Sequence, residues 1–521
     1  MAKQTNKIDP ALALPTLRRL LSETDDAHFL CMIWAVHAIQ DGRNSGAAKF
    51  LNYPKEAATQ DLGSTYMAFP WDLETLITLD FNTPKIRMPT RPLNTREFNT
   101  VADIVNLLRS VEDDETPGRV DETNVLMEVH RIGHRQFGWQ RRFASVSDIY
   151  RYIFIYGQGE CADYFEKIYC VTIADFFAVA FSYFAHLMRG PWSPPIHDLS
   201  FLGISSDAVE KSLKLLSADI WSARHESRQL LSKFEASARS ILPVIYQPSH
   251  LRIKPIIRRD LGLRQQYIAP LPALIILRAT VGLYYDLQGG GTTITNEATK
   301  RFEDYARRSI SAHCPGFECA PAVKYRYKKN PVETPDILLM QAGRIVAVFE
   351  CKATKLTFEA QYADDPVESA NDGYAQIAKA IFQLWRFFSH VRRGIIKFDI
   401  DADAPAVVLT MDAWTQMSRP LRDRLITEAR KISYEKEPDM TDEDRRHPIF
   451  CPIRELDVML TLSNEEQLLA AFRAGCEPYY QGWSIAQVRA DAVPTLKGTK
   501  KYAFDPSELL PWWAKKLDGA A

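Results

Sequence analysis

The stretch Thr334-Pro-Asp-Ile-Leu-Leu-Met-Gln-Ala-Gly-Arg-Ile-Val-Ala-Val-Phe-Glu-Cys-Lys352 decides how this chain is read: two apolar runs around Ala342-Gly343, one carboxylate on the first and a Glu-x-Lys on the second. Strand alternation puts Glu350 and Lys352 on one face with Val346 and Val348 behind them, and Ile345, Ala347, Phe349 and Cys351 on the other. Val346 to Phe349 is too apolar for an edge strand, so the acid and base at its end are embedded and need a reason to be there. Asp336 is their expected companion. A converging carboxylate pair can hold a hard divalent cation such as magnesium, which prefers oxygen ligands and keeps several waters. A plain two-residue turn at Ala342-Gly343 would set Asp336 opposite Phe349, on the wrong face. Pairing Asp336 with Glu350 therefore demands an odd-length turn, such as residues 342 to 344, or a bulge near Pro335.

Working outward, Ile294 to His313 has helical spacing, with Phe302, Ala306 and Ile310 on one stripe and Thr295 or Asn296 as N-cap. Ala322 to Tyr327 reads as a strand and Asn330-Pro331 as a break. After the hairpin, Pro366 to His390 is a second long helical segment and Ala406 to Thr410 a β-branched run suited to a buried strand. Together with Pro335-Asp336 and Glu350-Cys351-Lys352, this order resembles the PD-(D/E)xK nuclease superfamily, whose core is a helix, a β-meander, a second helix and a further strand. The resemblance covers about residues 290 to 415 and extends towards 475.

The resemblance implies a metal-dependent phosphodiesterase that takes Mg2+ or Mn2+, with Asp336, Glu350 and the Cys351 carbonyl as ligands. Lys352 would orient a water or stabilise charge on the scissile phosphate. Family members add a glutamate from the first helix, for which Glu303 is the choice ahead of Glu297, and a polar group from the second, for which Gln376 is the choice. A magnesium-dependent endonuclease acting on DNA, in restriction or anti-phage defence, is the expected function. An RNA-directed nuclease of the same fold and an inactive nucleic-acid-binding scaffold are the rivals.

Whole-chain charge is uninformative, because 64 Lys plus Arg balance 65 Asp plus Glu. Local charge says more. Lys324, Arg326, Lys328 and Lys329 precede the hairpin, interleaved with Tyr325 and Tyr327; Lys355 follows it; Arg386, His390, Arg392, Arg393 and Lys397 mark the end of the second helical segment. Gathered around one site, they are the expected footprint of a polyanion partner.

The rest of the 521 residues bounds the setting. The expected architecture is α+β or α/β: a large, mostly helical N-terminal domain over 1–288, a restriction-endonuclease-like αβββαβ domain over 289–475 with its core at about 294–415, and a C-terminal tail over 476–521. Ser145 to Tyr156, Ile168 to Met188, Asp207 to Ser232 and Leu271 to Tyr285 are the clearest early helices, and Gly289-Gly290-Gly291 reads as a hinge. The tail, with Lys497, Lys500, Lys501 and Trp512-Trp513, reads as a basic arm or docking segment. Val171 to Met188 comes nearest to a membrane span, but Asp175, Ser182 and His186 interrupt it, so no membrane partner is expected. Met1 to Pro10 is polar, and the eight scattered cysteines form no CxxC pair, which fits a reducing cytoplasm. No P-loop or dinucleotide fingerprint occurs. Operon-encoded protein partners and a homo-oligomer are both compatible with these features. Gly138-Trp-Gln-Arg-Arg-Phe143 and the basic run Arg252, Lys254, Arg258, Arg259 and Arg264 could contact nucleic acid or a protein, or equally be helix ends and solvated loops.

Overall fold

Five strands form one mixed sheet in the C-terminal part of the chain: β1 (Glu318–Pro321), β2 (Ile337–Gln341), β3 (Arg344–Lys352), β4 (Ala406–Thr410) and β5 (Pro448–Pro452), in spatial order β5-β4-β3-β2-β1. The computed structural model describes residues 10–514 except 44, 88–91, 116–124, 144, 197, 238–241, 263, 364–365, 414–418 and 495–498. The opening residues 1–9 and Lys497 thus lie outside the described residues. The first three strands run antiparallel as a meander, whereas β3, β4 and β5 are mutually parallel. Helix α1 (Gly291–His313) precedes the meander and helix α2 (Asn371–Arg392) makes the crossover from β3 to β4. β3 is central and covered on both faces, which is why its sequence is almost continuously apolar.

The expected first strand is corrected. Lys324–Tyr327 does not join this sheet; it pairs with Asn330–Glu333 as a separate two-stranded ribbon, and the neighbour of β2 is Glu318–Pro321. Lys328 and Lys329, rather than Asn330-Pro331, make the turn, both with positive φ. The ribbon is closed at its base where Thr334 exchanges two backbone bonds with Val323, through its N–H and its hydroxyl, at 3.0 and 2.9 Å.

The N-terminal part is mostly helical, but two of the expected long helices break where no glycine or proline announces it. The expected helix over Ile168 to Met188 is two helices, Gly159–Tyr169 and Ile173–Arg189, meeting at 70°. Cys170 turns the corner with φ +55°. Asp207 to Ser232 is interrupted by the strand Ser217–Asp219, which pairs in parallel with Ile256–Leu261 in a three-stranded sheet completed by Arg264–Ile268. Leu271 to Tyr285 likewise divides into Ala273–Ala279 and Leu283–Leu287. Among the described residues, no single helix is long and apolar enough to cross a membrane; the bent pair around Cys170 approaches the required length and hydropathy only together.

One shared core spans the expected boundary at 288 and takes in the C-terminal segment, whose docking is one of its two expected readings. The sheet face that carries Ile337, Leu339 and Phe349 packs in one cluster with Phe302 and Ile310 of α1, with Tyr150 and Phe177 from the helical part, and with Trp512. Gly289-Gly290-Gly291 joins a short helical turn over Gln288–Gly290 to the start of α1, with Gly291 at φ +69° between them. Trp512 is buried, stacks near Phe177 at 6.0 Å and donates its indole N–H to the Ala174 carbonyl at 3.1 Å. Lys500 caps the end of α1 through the His313 carbonyl at 2.6 Å. Polar bonds tie the parts as well. The Arg151 guanidinium, fully buried, binds Asp148 on its own helix and Asp457 on Ile453–Leu462, and Asp457 also accepts from the Tyr305 hydroxyl of α1 at 2.9 Å. The opposite sheet face, with Leu338, Ile345 and Val348, packs under α2 in a separate cluster.

Candidate functional site

The β2–β3 hairpin turns through only two residues, Ala342 (φ +51°) and Gly343 (φ +80°), the left-handed pair that matches strand twist. The three-residue turn is therefore corrected, and the register change comes from a bulge. Gln341 and Met340 face Arg344 and Ile345, but Leu339 faces Ala347, so Val346 is the extra residue. Val346 and Ala347 both lie on the α1 side, and Ile345 goes over to the α2 side, the reverse of simple alternation. Beyond the bulge the register continues through Ile337 and Phe349, which sets Asp336 level with Glu350. Asp336 is held there: its Oδ2 accepts the Cys351 backbone N–H at 2.7 Å. A strand residue sends its N–H and its carbonyl to the same side, so the Cys351 carbonyl is directed towards Asp336 as well.

Glu350 is completely buried. Its Oε1 accepts from Lys352 Nζ at 2.8 Å, while its Oε2 has no hydrogen-bond partner among the described residues. Burial pushes its pKa up to about 7 against the pull of Lys352, with Asp336 and Glu303 adding repulsion. Glu303 reaches the same locus from α1 and is likewise pushed up to about 7, by burial and then by Asp336, with Lys352 opposing. Burial also raises Asp336, with Lys352 and the Cys351 N–H opposing. Lys352 itself loses from burial but is held above its usual range by Glu350 and Asp336, so it is an ammonium and a donor only. Asp336, Glu350, Lys352 and Glu303 are thus electrostatically one cluster. Gln376 stands at its edge: exposed near the start of α2, it accepts from Thr354 at 2.8 Å, two residues past Lys352. Glu297 is elsewhere, paired with Arg301 at 2.7 Å.

Two further members are not foreseen by the sequence reading. Arg307, one turn beyond Glu303, lowers the Glu303 pKa, and Glu333, at the foot of the ribbon, raises those of Glu303 and Asp336. Spacing of four on a helix is the available signal for the first. For the second there is none, because nothing in the pattern announces the ribbon.

The basic patch is smaller than the sequence suggests. Lys355 is not on the surface; its ammonium is buried, paired with Asp412 at 2.7 Å and donating to the Tyr152 hydroxyl at 3.1 Å. Arg392 is neutralised by Asp444 at 2.8 Å and Arg393 by Asp439 at 2.8 Å and Glu437 at 3.3 Å, because the acidic segment after Lys436 folds back on the end of α2. Arg386 is half-buried over the Phe382 ring, and His390 is buried against Tyr325 and Glu437. Tyr325 and Tyr327 both face His390, which removes them as stacking platforms. Lys324, Arg326, Lys328 and Lys329 remain exposed on the ribbon, Lys324 with Glu333 at 3.3 Å; Lys397 is exposed too. In the N-terminal part, Arg252 is likewise committed to Glu74 at 2.7 Å and Lys254 to Glu226 at 2.9 Å.

Among the described residues, no three His, Cys, Asp or Glu side chains form a ready-made metal cage. The donor set fits a hard cation differently, through two carboxylates and a carbonyl. The observation in favour is the unpartnered Glu350 Oε2: a buried carboxylate oxygen with nothing to bond lacks an electrophile or a proton. Comparison of the chain with protein-family models, curated proteins and solved structures finds no match.

Proposed function

We propose that the chain is a metal-dependent nuclease of the restriction-endonuclease-like fold, acting on DNA. The observation that carries this is the β-bulge that levels Asp336 with Glu350, leaving one Glu350 oxygen buried and unpartnered beside the Lys352 ammonium. The order of α1, meander, α2 and β4 supports the fold part of the proposal.

Asp336, Glu350 and the Cys351 carbonyl would hold magnesium, which when bound polarises a phosphate and lowers the pKa of a water. Lys352, charged and donor-only, offsets the negative charge that develops on the phosphate during displacement. Gln376, exposed at the edge with its amide oxygen engaged by Thr354, presents its amide N–H groups to substrate. The setting in restriction or phage defence rests on the pairing of such a centre with a large helical partner region, and is part of the proposal.

The test is cleavage of duplex DNA, single-stranded DNA and RNA by the intact chain, with magnesium and with chelator. Magnesium-dependent scission of DNA is the expected result. Scission of RNA alone would transfer the proposal to an RNA enzyme, and no scission with any substrate or metal contradicts it.

Metal binding should depend on pH in a definite direction. Glu350 and Glu303 have folded pKa values above their unfolded ones, so their protonated forms favour the metal-free fold, and that contribution fades as pH rises from about 4.5 towards about 7. A cation needs the deprotonated forms. Magnesium affinity, followed by calorimetry or by the shift in melting temperature, is expected to be about tenfold weaker at pH 6 than at pH 8 for each such carboxylate engaged. Equal affinity at both would remove these groups from the site.

The ribbon is the expected backbone contact. Arg326, Lys328 and Lys329 changed together to glutamine should lower the slope of log affinity against log salt by roughly 0.9 for each phosphate that is no longer neutralised, and by about 3 for all three, without sequence bias. An unchanged slope in a filter-binding or anisotropy titration would place the substrate path elsewhere.

A further inference from the structure

We propose that a cavity in the helical part, remote from the carboxylate cluster in sequence, binds a nucleoside monophosphate, with its base against Trp71 and Trp139 and its phosphate at Arg142. The cavity measures about 260 Å³ and opens between the helices Asp26–Gln40, Pro70–Asn82 and Val125–Arg141. The Gly138-to-Phe143 stretch, which the nuclease chemistry leaves unused, builds one wall.

The floor is aromatic and held in place. Trp139 donates its indole N–H to Glu74 at 2.9 Å and packs on Phe143 at 5.0 Å. That contact needs a glycine at 138, where a Cβ would lie 2.8 Å from the Phe143 ring. Trp71 stacks on Phe69 at 4.5 Å. Both indoles are largely buried yet line the cavity, so a flat heteroaromatic ring gains stacking area without reorganising the site.

The polar groups around that floor are donors and amides. Arg43 donates to His37 Nδ1 at 2.8 Å, which leaves the His37 proton on Nε2, and burial with the Arg43 charge keeps the ring neutral by pushing its pKa down to about 3. His37 Nε2–H has no partner among the described residues. Gln60 and Gln140 stand exposed on the rim, their amides without a hydrogen-bond partner among the described residues, the side chain that matches the edge of a base with paired donor and acceptor. Asp41, also on the rim, is occupied by Arg43 at 3.3 Å and does not oppose an anion. Arg142 stands exposed at the mouth, with φ +59° and no ion pair among the described residues, as a monophosphate site would have it. Ligand cavities of roughly 300 Å³ and above take drug-sized molecules. This one accommodates a base and ribose, with the phosphate left in the solvent-facing mouth.

The experiment titrates the full chain, in chelator, with AMP, GMP, CMP, UMP and ribose 5-phosphate, read by tryptophan fluorescence and calorimetry. At least one nucleotide is expected to bind with a dissociation constant below about 1 mM and to quench the indoles, while ribose 5-phosphate binds at least about tenfold more weakly. Arg142→Ala should weaken binding about tenfold, and Gln140→Ala and Gln60→Ala should change the ranking of bases; all three positions are on the exposed rim, where substitution leaves the fold intact. Repeating the titration with Lys352→Ala separates this cavity from the carboxylate cluster, and binding should persist. No binding by any nucleotide, equal binding of ribose 5-phosphate, indifference to the rim variants, or loss in Lys352→Ala would each overturn the assignment.

Discussion

Lys352→Ala is expected to lower magnesium-dependent cleavage by roughly 10²- to 10³-fold, the loss that follows removal of one preorganised charge facing the transition state. The change also acts through Glu350. With its Lys352 ion pair gone, the buried Glu350 carboxyl rises further above about 7, so metal affinity at neutral pH should fall together with turnover. Lys352→Arg is not a conservative rescue, because the guanidinium is a planar fork and the lysine site is fitted to a point donor at 2.8 Å from Glu350. Asp336→Asn should be as severe by a different route, weakening the cation while keeping the Cys351 N–H bond to an amide oxygen. Single-turnover cleavage at saturating protein, with melting temperature recorded in parallel, reads both. Native rates in Lys352→Ala would remove the residue from the chemistry.

The second large effect is on stability. Arg151→Ala leaves Asp457 buried without its cation and Asp148 with Arg454 at 3.5 Å in place of two cations, a loss of about 3–5 kcal/mol for breaking such a network. Asp457 is pushed up to about 6 by burial even with Arg151 present, and without it the pKa climbs further from its unfolded value near 3.8. A carboxyl raised in the folded state destabilises progressively as pH rises through that window. The deficit of Arg151→Ala should therefore be larger at pH 8 than at pH 5 in urea titrations, and Asp457→Asn in the same background should recover part of it. A pH-independent deficit would mean that lost packing, rather than the orphaned carboxylate, dominates.

How far the sequence can be read depends on whether the deciding interaction is local. The central place of β3 is legible from its apolar run, and the need for a register device from the mismatch between Asp336 and Phe349. The position of the device is not, because a bulge that exchanges Ile345 and Val346 replaces one apolar side chain by another and leaves the pattern unchanged. Helix breaks go unseen at Cys170, a residue that carries no breaker signal, and at Ser217–Asp219, where pairing with Ile256–Leu261 overrides the helical pattern. Charges are legible in sign but not in employment. Lys355 reads as a phosphate contact, but its partner Tyr152 lies 203 positions away, and Arg392 is answered by Asp444, 52 positions on. Glu303 can be placed with the cluster only through the family's helix order. The ribbon is invisible since Lys328-Lys329 is not a turn pair that propensity favours.

The seating of Trp512 beneath Ala174 has a bearing on how the molecule is made. These partners are separated by 338 positions. At ribosomal rates of roughly 5–20 residues per second, the helix Ile173–Arg189 therefore waits on the order of 20 to 70 seconds with Phe177 and Phe181 uncovered. During that interval the nascent chain presents these rings without their Trp512 cover, and synthesis of Trp512 supplies it.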